Sequence, residues 1–128
     1  MGAEDVQNKR KGFEDLTAWR AAMALVEDVY RLASALPKSE TYELARQIRR
    51  SAVSIPSNIA EGRSSGSDGL FLRHVRIANG SVGELETQLR LIDRLNLLPS
   101  PVPPALRKRL ERVAQLTRGL QNWLEDKG

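Results

Sequence analysis

A chain of 128 residues with net charge +4, 41% hydrophobic but only 5% aromatic, is long enough to bury a core without external staples. Its aliphatics and alanines suit a helical bundle better than a β-sandwich, which needs β-branched and aromatic alternation. The absence of cysteine excludes disulfides, thiolate catalysis and cysteine-based zinc sites, and no apolar run is long enough for a membrane span.

Residues 1–12, MGAEDVQNKRKG, are polar and read as a flexible lead-in, too charged for a secretory signal. Met1 and Gly2 open like a myristoylation site, but that motif wants Ser or Thr where Val6 stands. A cytoplasmic protein is the expectation. From Phe13 a helical period takes over, with Leu16, Trp19, Met23, Val26, Tyr30 and Ala33 at spacings of three and four. Ala22, Leu25, Val29 and Leu36 widen that stripe. Glu14 and Asp15 are expected in the first turn, where carboxylates favour the positive end of the dipole. Pro37 ends the helix, because the residue before a proline is pushed out of the α region.

A second helix is expected to begin near Ser39 to Thr41 and to run through YELARQIRRSAVSIPSNIAEG. Leu44, Ile48, Ala52, Ile55 and Ile59 form its apolar seam, and Gly62 is placed just past its end, where glycine accepts the left-handed conformation. Pro56 removes the hydrogen bond to the Ala52 carbonyl and predicts a kinked continuous helix, at a cost of roughly 3 kcal/mol. Ser51, Ser54, Ser57 and Asn58 lie close enough to serve the freed carbonyls. RSSGSDG then reads as a flexible loop.

The third segment, from about Asp68 to Leu97, places Phe71, Val75, Ala78, Val82, Leu85, Leu89, Ile92 and Leu95 on one seam. Gly80 and Gly83 are read as permitting close helix approach. PSPVPP has four prolines in six residues and makes a stiff connection. A final helix from about Pro104 to Glu125 buries Leu106, Leu110, Val113, Leu116 or Thr117, Leu120 and Leu124, with Pro104 in its first turn. The fold class is all-α: an antiparallel up-down-up-down four-helix bundle over residues 13–128 as one domain.

Beside these apolar seams run polar ones. Gln47, Ser51, Ser54, Asn58 and Glu61 recur at spacings of four, three, four and three on the second helix; Ser81, Glu84 and Gln88 repeat the pattern on the third. Short hydroxyl and amide side chains suit close packing, where they find partners. The seams are read as a subunit interface or internal network, against a solvated face of small residues and a ligand pocket.

Chemistry is sparsely signalled. His74 is the lone histidine, so His-pair metal sites are excluded, and it is read as structural or partly exposed. Glu84 and Glu86 stand two apart and do not share a helical face. A di-metal bundle would need Glu-x-x-His motifs, which do not occur, and neither a phosphate loop nor a nucleophile elbow is present. No enzyme activity, cofactor or metal is expected.

Cations give the better lead. Residues 1–36 carry five basic and six acidic groups, 37–66 five and three, 67–102 four and four, and 103–128 six and three. Arg46, Arg49 and Arg50 share the second helix, Arg73 and Arg76 the third, and Arg107, Lys108, Arg109 and Arg112 cluster early in the fourth. The guanidinium fork suits phosphate. Without interleaved aromatics there is no base-stacking platform, so binding would be backbone-directed and salt-sensitive. Solvated faces with local ion pairs, such as Arg46 with Glu43, explain the same residues.

FEDLTAWRAAMALVEDVY, LARQIRRSAVSIPSNIAEG and IANGSVGELETQL together resemble the small four-helix bundle proteins encoded in intervening sequences of bacterial large-subunit ribosomal RNA genes, the so-called S23 ribosomal protein family. The resemblance spans roughly residues 13 to 98. Its signature falls on Gln47, Arg49, Arg50, Ser51, Ser54, Pro56, Asn58, Glu61 and Gly62, and on Gly80, Ser81, Glu84, Leu85, Glu86 and Gln88. His74 stands where relatives tend to carry an aromatic, and the 99–104 connection is idiosyncratic. The resemblance implies an antiparallel bundle, ring-like homopentamers, and a fold shared with basic, nucleic-acid-binding accessory proteins of diversity-generating retroelements. The combined expectation is a non-enzymatic homo-oligomeric bundle binding RNA or DNA. The alternatives are a protein–protein adaptor, and a ligand pocket around Ser51, Asn58, Glu61 and Glu84.

Overall fold

The helical periods become four α-helices in a computed structural model that describes residues 12–40 and 43–127. These are α1 (Thr17–Ala35), α2 (Leu44–Ser64), α3 (Asp68–Arg94) and α4 (Pro104–Lys127). Single 3₁₀ turns, Phe13–Asp15 and Lys38–Glu40, precede α1 and α2, and no strand occurs among the described residues. Apart from Gly12, the expected flexible segment 1–12 lies outside the described residues, as do Thr41 and Tyr42.

α2 packs most extensively on α3 and then on α1, while α4 closes against both α3 and α1. Residue numbers rise along one helix and fall along its neighbour. Ser54 meets Ser81 and Asn58 meets His74 across α2 and α3, and Asn79 meets Gln121 and Asp68 meets Lys127 across α3 and α4. The core between them is aliphatic, with Leu25, Ile48, Ile55, Ile59, Leu85, Leu89 and Ile92 fully buried. Each such side chain is worth about 1.5–3 kcal/mol relative to exposure. A smaller cluster of Phe71, Val75 and Leu124, flanked by Leu16 and Leu120, fills the end nearest the α2–α3 turn.

Several boundaries differ from the sequence expectation, each for a local reason. Glu14 and Asp15 lie in the separate 3₁₀ turn, so α1 has no acidic residue in its first turn. Asp15 instead pairs with Arg20, and the Arg20 Nε donates to the Glu14 carbonyl at 2.8 Å. α1 stops before Pro37 as expected, with Leu36 extended at ψ 150°. α2 begins at Leu44, later than Ser39 to Thr41. It runs through Pro56 to Ser64, so Gly62 is an interior residue and not the terminator.

α3 starts on Ser67, whose hydroxyl accepts the Leu70 N–H at 3.3 Å, with Asp68 in the first turn. It ends at Arg94, short of Leu97, because Asn96 turns left-handed at φ 52°. The Leu97 N–H then reaches the Ile92 carbonyl and the Asn96 N–H the Asp93 carbonyl, closing the helix as a Schellman motif. Leu95 is consequently turned out, 60% exposed. Val102 plugs the core from the proline-rich connection, and Pro104 opens α4.

The α1 stripe is rotated from the expected one. Ala18, Ala22, Leu25, Val29, Leu32, Ala33 and Leu36 are buried, whereas Met23 and Tyr30 are 41% and 45% exposed. Both stripes are apolar and adjacent, so periodicity could not choose between them; packing against α2 and α4 does.

Candidate nucleic-acid interface and polar seam

The polar seams of α2 and α3 face one another. Ser54 Oγ and Ser81 Oγ lie 2.7 Å apart, and Asn58 Nδ2 donates to the Ser54 carbonyl at 2.8 Å and to Ser54 Oγ at 3.0 Å. Asn58 Oδ1 can only accept, so His74 Nδ1, 3.0 Å away, carries the hydrogen between them. His74 Nε2 ends the chain 3.9 Å from Glu61. Hydrogen bonds thus link Ser81, Ser54, Asn58 and His74, with Glu61 just beyond hydrogen-bond reach, and His74 is the member that the sequence pattern missed. Its only signal was position, since it falls one turn before Ala78 on α3 but sixteen residues from Asn58. Asn58 supplies its donor to the Ser54 carbonyl and not to the Ala52 carbonyl that Pro56 leaves.

Close approach at this seam comes from Gly62. A Cβ there would stand 2.8 Å from His74 Cβ, closer than real Cβ contacts come, and 3.1 Å from the Phe71 Cα, tighter than most of them. Gly80 and Gly83, expected to have that role, face open space. The glycine that lets the helices touch is therefore on α2.

Further along, Gln47, Arg50, Ser51, Ser54, Glu84 and Gln88 border a hollow of about 340 Å³ between α2 and α3. Ser51 and Gln88 are buried, while Gln47 and Glu84 are exposed. Gln88 Oε1 is buried without a hydrogen-bond partner, a group that costs about 1–3 kcal/mol when left unsatisfied. The eight seam residues thus divide in two. Ser54, Asn58 and Ser81 are hydrogen-bonded in one chain with Glu61 at its far end; Gln47, Ser51, Glu84 and Gln88 line the hollow, which Ser54 also borders, with no bond to one another.

The nine cations also divide. Arg76 pairs with Glu125 at 2.8 Å, Arg109 with Asp28 at 2.7 Å, and Arg107 with Asp93. The Asp93 Oδ1 also accepts the Val102 N–H at 2.8 Å. That backbone hydrogen bond, opposed by desolvation and reinforced by Arg107, holds the Asp93 carboxyl below its ordinary value. Glu125 is lowered likewise by its hydrogen bonds from Arg76 and Gln121. Arg46, Arg49, Arg50, Arg73, Lys108 and Arg112 form no ion pair with a described carboxylate. The expected Arg46–Glu43 pair is absent, although Glu43 is described.

Arg49 has a different neighbour. Its guanidinium lies over the Tyr30 ring, 5.7 Å from the centroid, within cation–π range. Beside this pair, Trp19, Met23, Val26, Val53, Pro56, Ser57 and Ala60 line a mostly apolar groove of about 300 Å³ between α1 and α2. Among the described residues no cluster of His, Cys, Asp or Glu could hold a metal ion, and no helix is long and apolar enough to cross a membrane.

An all-helical bundle joined at one seam by short polar side chains, with arginines beside it that pair with no described carboxylate, is the class of protein this arrangement defines. The model of the 23S rRNA-intervening sequence protein family matches residues 14–119, and the chain belongs to that family. No curated protein matches the chain in sequence.

Proposed function

We propose that this protein is a non-enzymatic, homo-oligomeric, cytoplasmic bundle that binds the phosphate backbone of nucleic acid, RNA or DNA, through the arginine face of α2. The observation that carries this is the contrast among the cations. Arg46, Arg49 and Arg50 stand together without a described carboxylate, so a phosphate can take them without breaking an internal ion pair. Arg73 on α3 and Lys108 and Arg112 on α4 also pair with no described carboxylate but lie on other helices, whereas Arg76, Arg107 and Arg109 are held by Glu125, Asp93 and Asp28 and contribute little. A net charge of +4 favours such a partner.

Assembly is supported by the apolar groove between α1 and α2 and by the unsatisfied Gln88, both of which a second copy could cover. A ring of five is what the family resemblance implies. The same groove also supports the second reading, a protein–protein adaptor without direct nucleic-acid contact.

The deciding experiment is retention on immobilised nucleic acid across a salt series, with solution mass measured in parallel. The Arg49→Ala/Arg50→Ala pair should weaken retention and flatten the salt dependence, by roughly 0.7–0.9 in log–log slope for each phosphate that is no longer neutralised. Unchanged retention after the double substitution would sink the nucleic-acid reading. A partner captured after nuclease treatment, with no affinity for nucleic acid alone, would leave the adaptor.

A further inference from the structure

We infer that Tyr30, with Arg46, Arg49 and Arg50, forms a seat for one unpaired nucleotide, so that the α2 face prefers single strands to duplex. The inference rests on the nucleic-acid reading above and adds an element that reading lacks, a surface for the base.

Tyr30 lies on α1, sixteen residues before Arg46 in the chain, and the sequence places it in an apolar seam. It is instead 45% exposed, beside three α2 arginines that form no ion pair with a described carboxylate. Tyr30, Arg46, Arg49, Arg50, Val53 and Ser54 together line an open hollow of about 420 Å³. Val53 is itself 37% exposed, so the hollow has an apolar wall next to its aromatic one. The apolar groove between α1 and α2 shares Val53 with this hollow but does not include Tyr30, so a second copy seated there would leave the ring at its border.

Each component suits a different part of a nucleotide. A phenol ring offers a face to any base, because every base has a π-face of its own. Val53 adds contact with the base edge or sugar. The guanidiniums take the flanking phosphates bidentately, and Arg49, already over the ring, can bridge from ring to phosphate. In a duplex the bases are stacked on one another and only the phosphates reach such a surface. An aromatic side chain therefore contributes to binding where the base is free.

The test compares four fluorescein-labelled probes against full-length protein across a salt series: a single-stranded RNA, a single-stranded DNA, and a duplex of each, with a free mononucleotide as competitor. Wild type should bind the single strands more tightly than the duplex. Tyr30→Ala should lower single-strand affinity by roughly tenfold, in line with the loss of one stacked base, while duplex affinity and the salt slope stay as in wild type. Tyr30→Phe should keep the single-strand affinity, since the ring is what stacks. An equal loss in both single-strand arms assigns base-and-phosphate recognition common to RNA and DNA; a loss in one arm assigns the seat to that nucleic acid. Displacement of the labelled single strands by the mononucleotide as readily as by the unlabelled strand would make the ligand a free nucleotide and overturn the strand preference. Unchanged single-strand affinity in Tyr30→Ala would overturn the seat, as would a loss shared equally with the duplex. If Arg49→Ala/Arg50→Ala then still weakens binding, the backbone reading stands without the seat. Wild type that binds none of the probes overturns both.

Discussion

At the α2–α3 seam the helices are joined by short side chains: Ser54 to Ser81, Asn58 to His74, and the bare backbone of Gly62 against His74 and Phe71. At the α3–α4 seam the joints are longer and mostly ionic: Arg76 to Glu125, Arg107 to Asp93, Lys127 to Asp68, with Asn79 to Gln121 between them. The difference has a consequence for the surface. Because serines and an asparagine connect α2 to α3, Arg46, Arg49 and Arg50 are left without a described carboxylate. Because arginines connect α3 to α4, those cations are occupied. The arginine group of α2 and the joint-forming cations of α3 and α4 thus present different surfaces to a polyanion.

The sharpest way to break the contrast is at Gly62. Gly62→Val should destabilise the protein by about 3 kcal/mol in urea unfolding, the upper part of the range for overpacking, because the α3 backbone at Phe71 cannot yield as a flexible side chain would. Gly80→Ala, on the same pair of helices but facing open space, should be neutral or gain up to about 1 kcal/mol from helix propensity. Equal effects at the two glycines would mean that α2 and α3 do not approach most closely at Gly62.

A smaller loss should follow at the other seam. Asp93→Asn removes the charge that Arg107 and the Val102 N–H share, and should lower stability by about 1.5–3 kcal/mol at neutral pH. The sign of its pH dependence is fixed by the lowered carboxyl. The folded state binds the Asp93 proton less readily than the unfolded chain, whose aspartates titrate near about 3.9. Its stabilisation is present above that unfolded value and is lost as pH falls through the lower folded one. The gap between wild type and Asp93→Asn should therefore close in that acidic window. A gap that is constant with pH would mean that the carboxylate charge contributes nothing.

The smallest effect is expected at Arg109. Its pair with Asp28 is half exposed on the arginine side, so Arg109→Ala should lower stability by no more than about 1 kcal/mol and less at high salt. Retention on nucleic acid should change far less than for the α2 arginines. A drop matching that of Arg49→Ala/Arg50→Ala would erase the distinction between the two basic groups.

Much of this was legible in the chain. The spacing of Ser51, Ser54 and Asn58 beside Ile48, Ile55 and Ile59 announced a helix with an apolar and a polar stripe side by side. The polar residues of α3 were found in the same way. His74 was not, because its partner Asn58 is on another helix and histidine at a helical position carries no periodic signal. Gly62 looked like a helix end because glycine favours that role; Ser65, whose N–H and hydroxyl reach the Gly62 carbonyl, marks the actual end. The pairing of Arg107 with Asp93 depends on the proline-rich connection folding back so that Val102 is buried, which composition alone does not specify.

The sequence by itself determined the helical class, the four segments and the existence of polar stripes, because hydrophobic period and proline position act within a few turns of chain. Tertiary structure decided which of two adjacent α1 stripes is buried, which arginines keep a carboxylate, and that Tyr30 stands beside the α2 cations. Those outcomes are set by contact between residues far apart in the chain, where each helix's neighbour, and not its own period, determines what is covered.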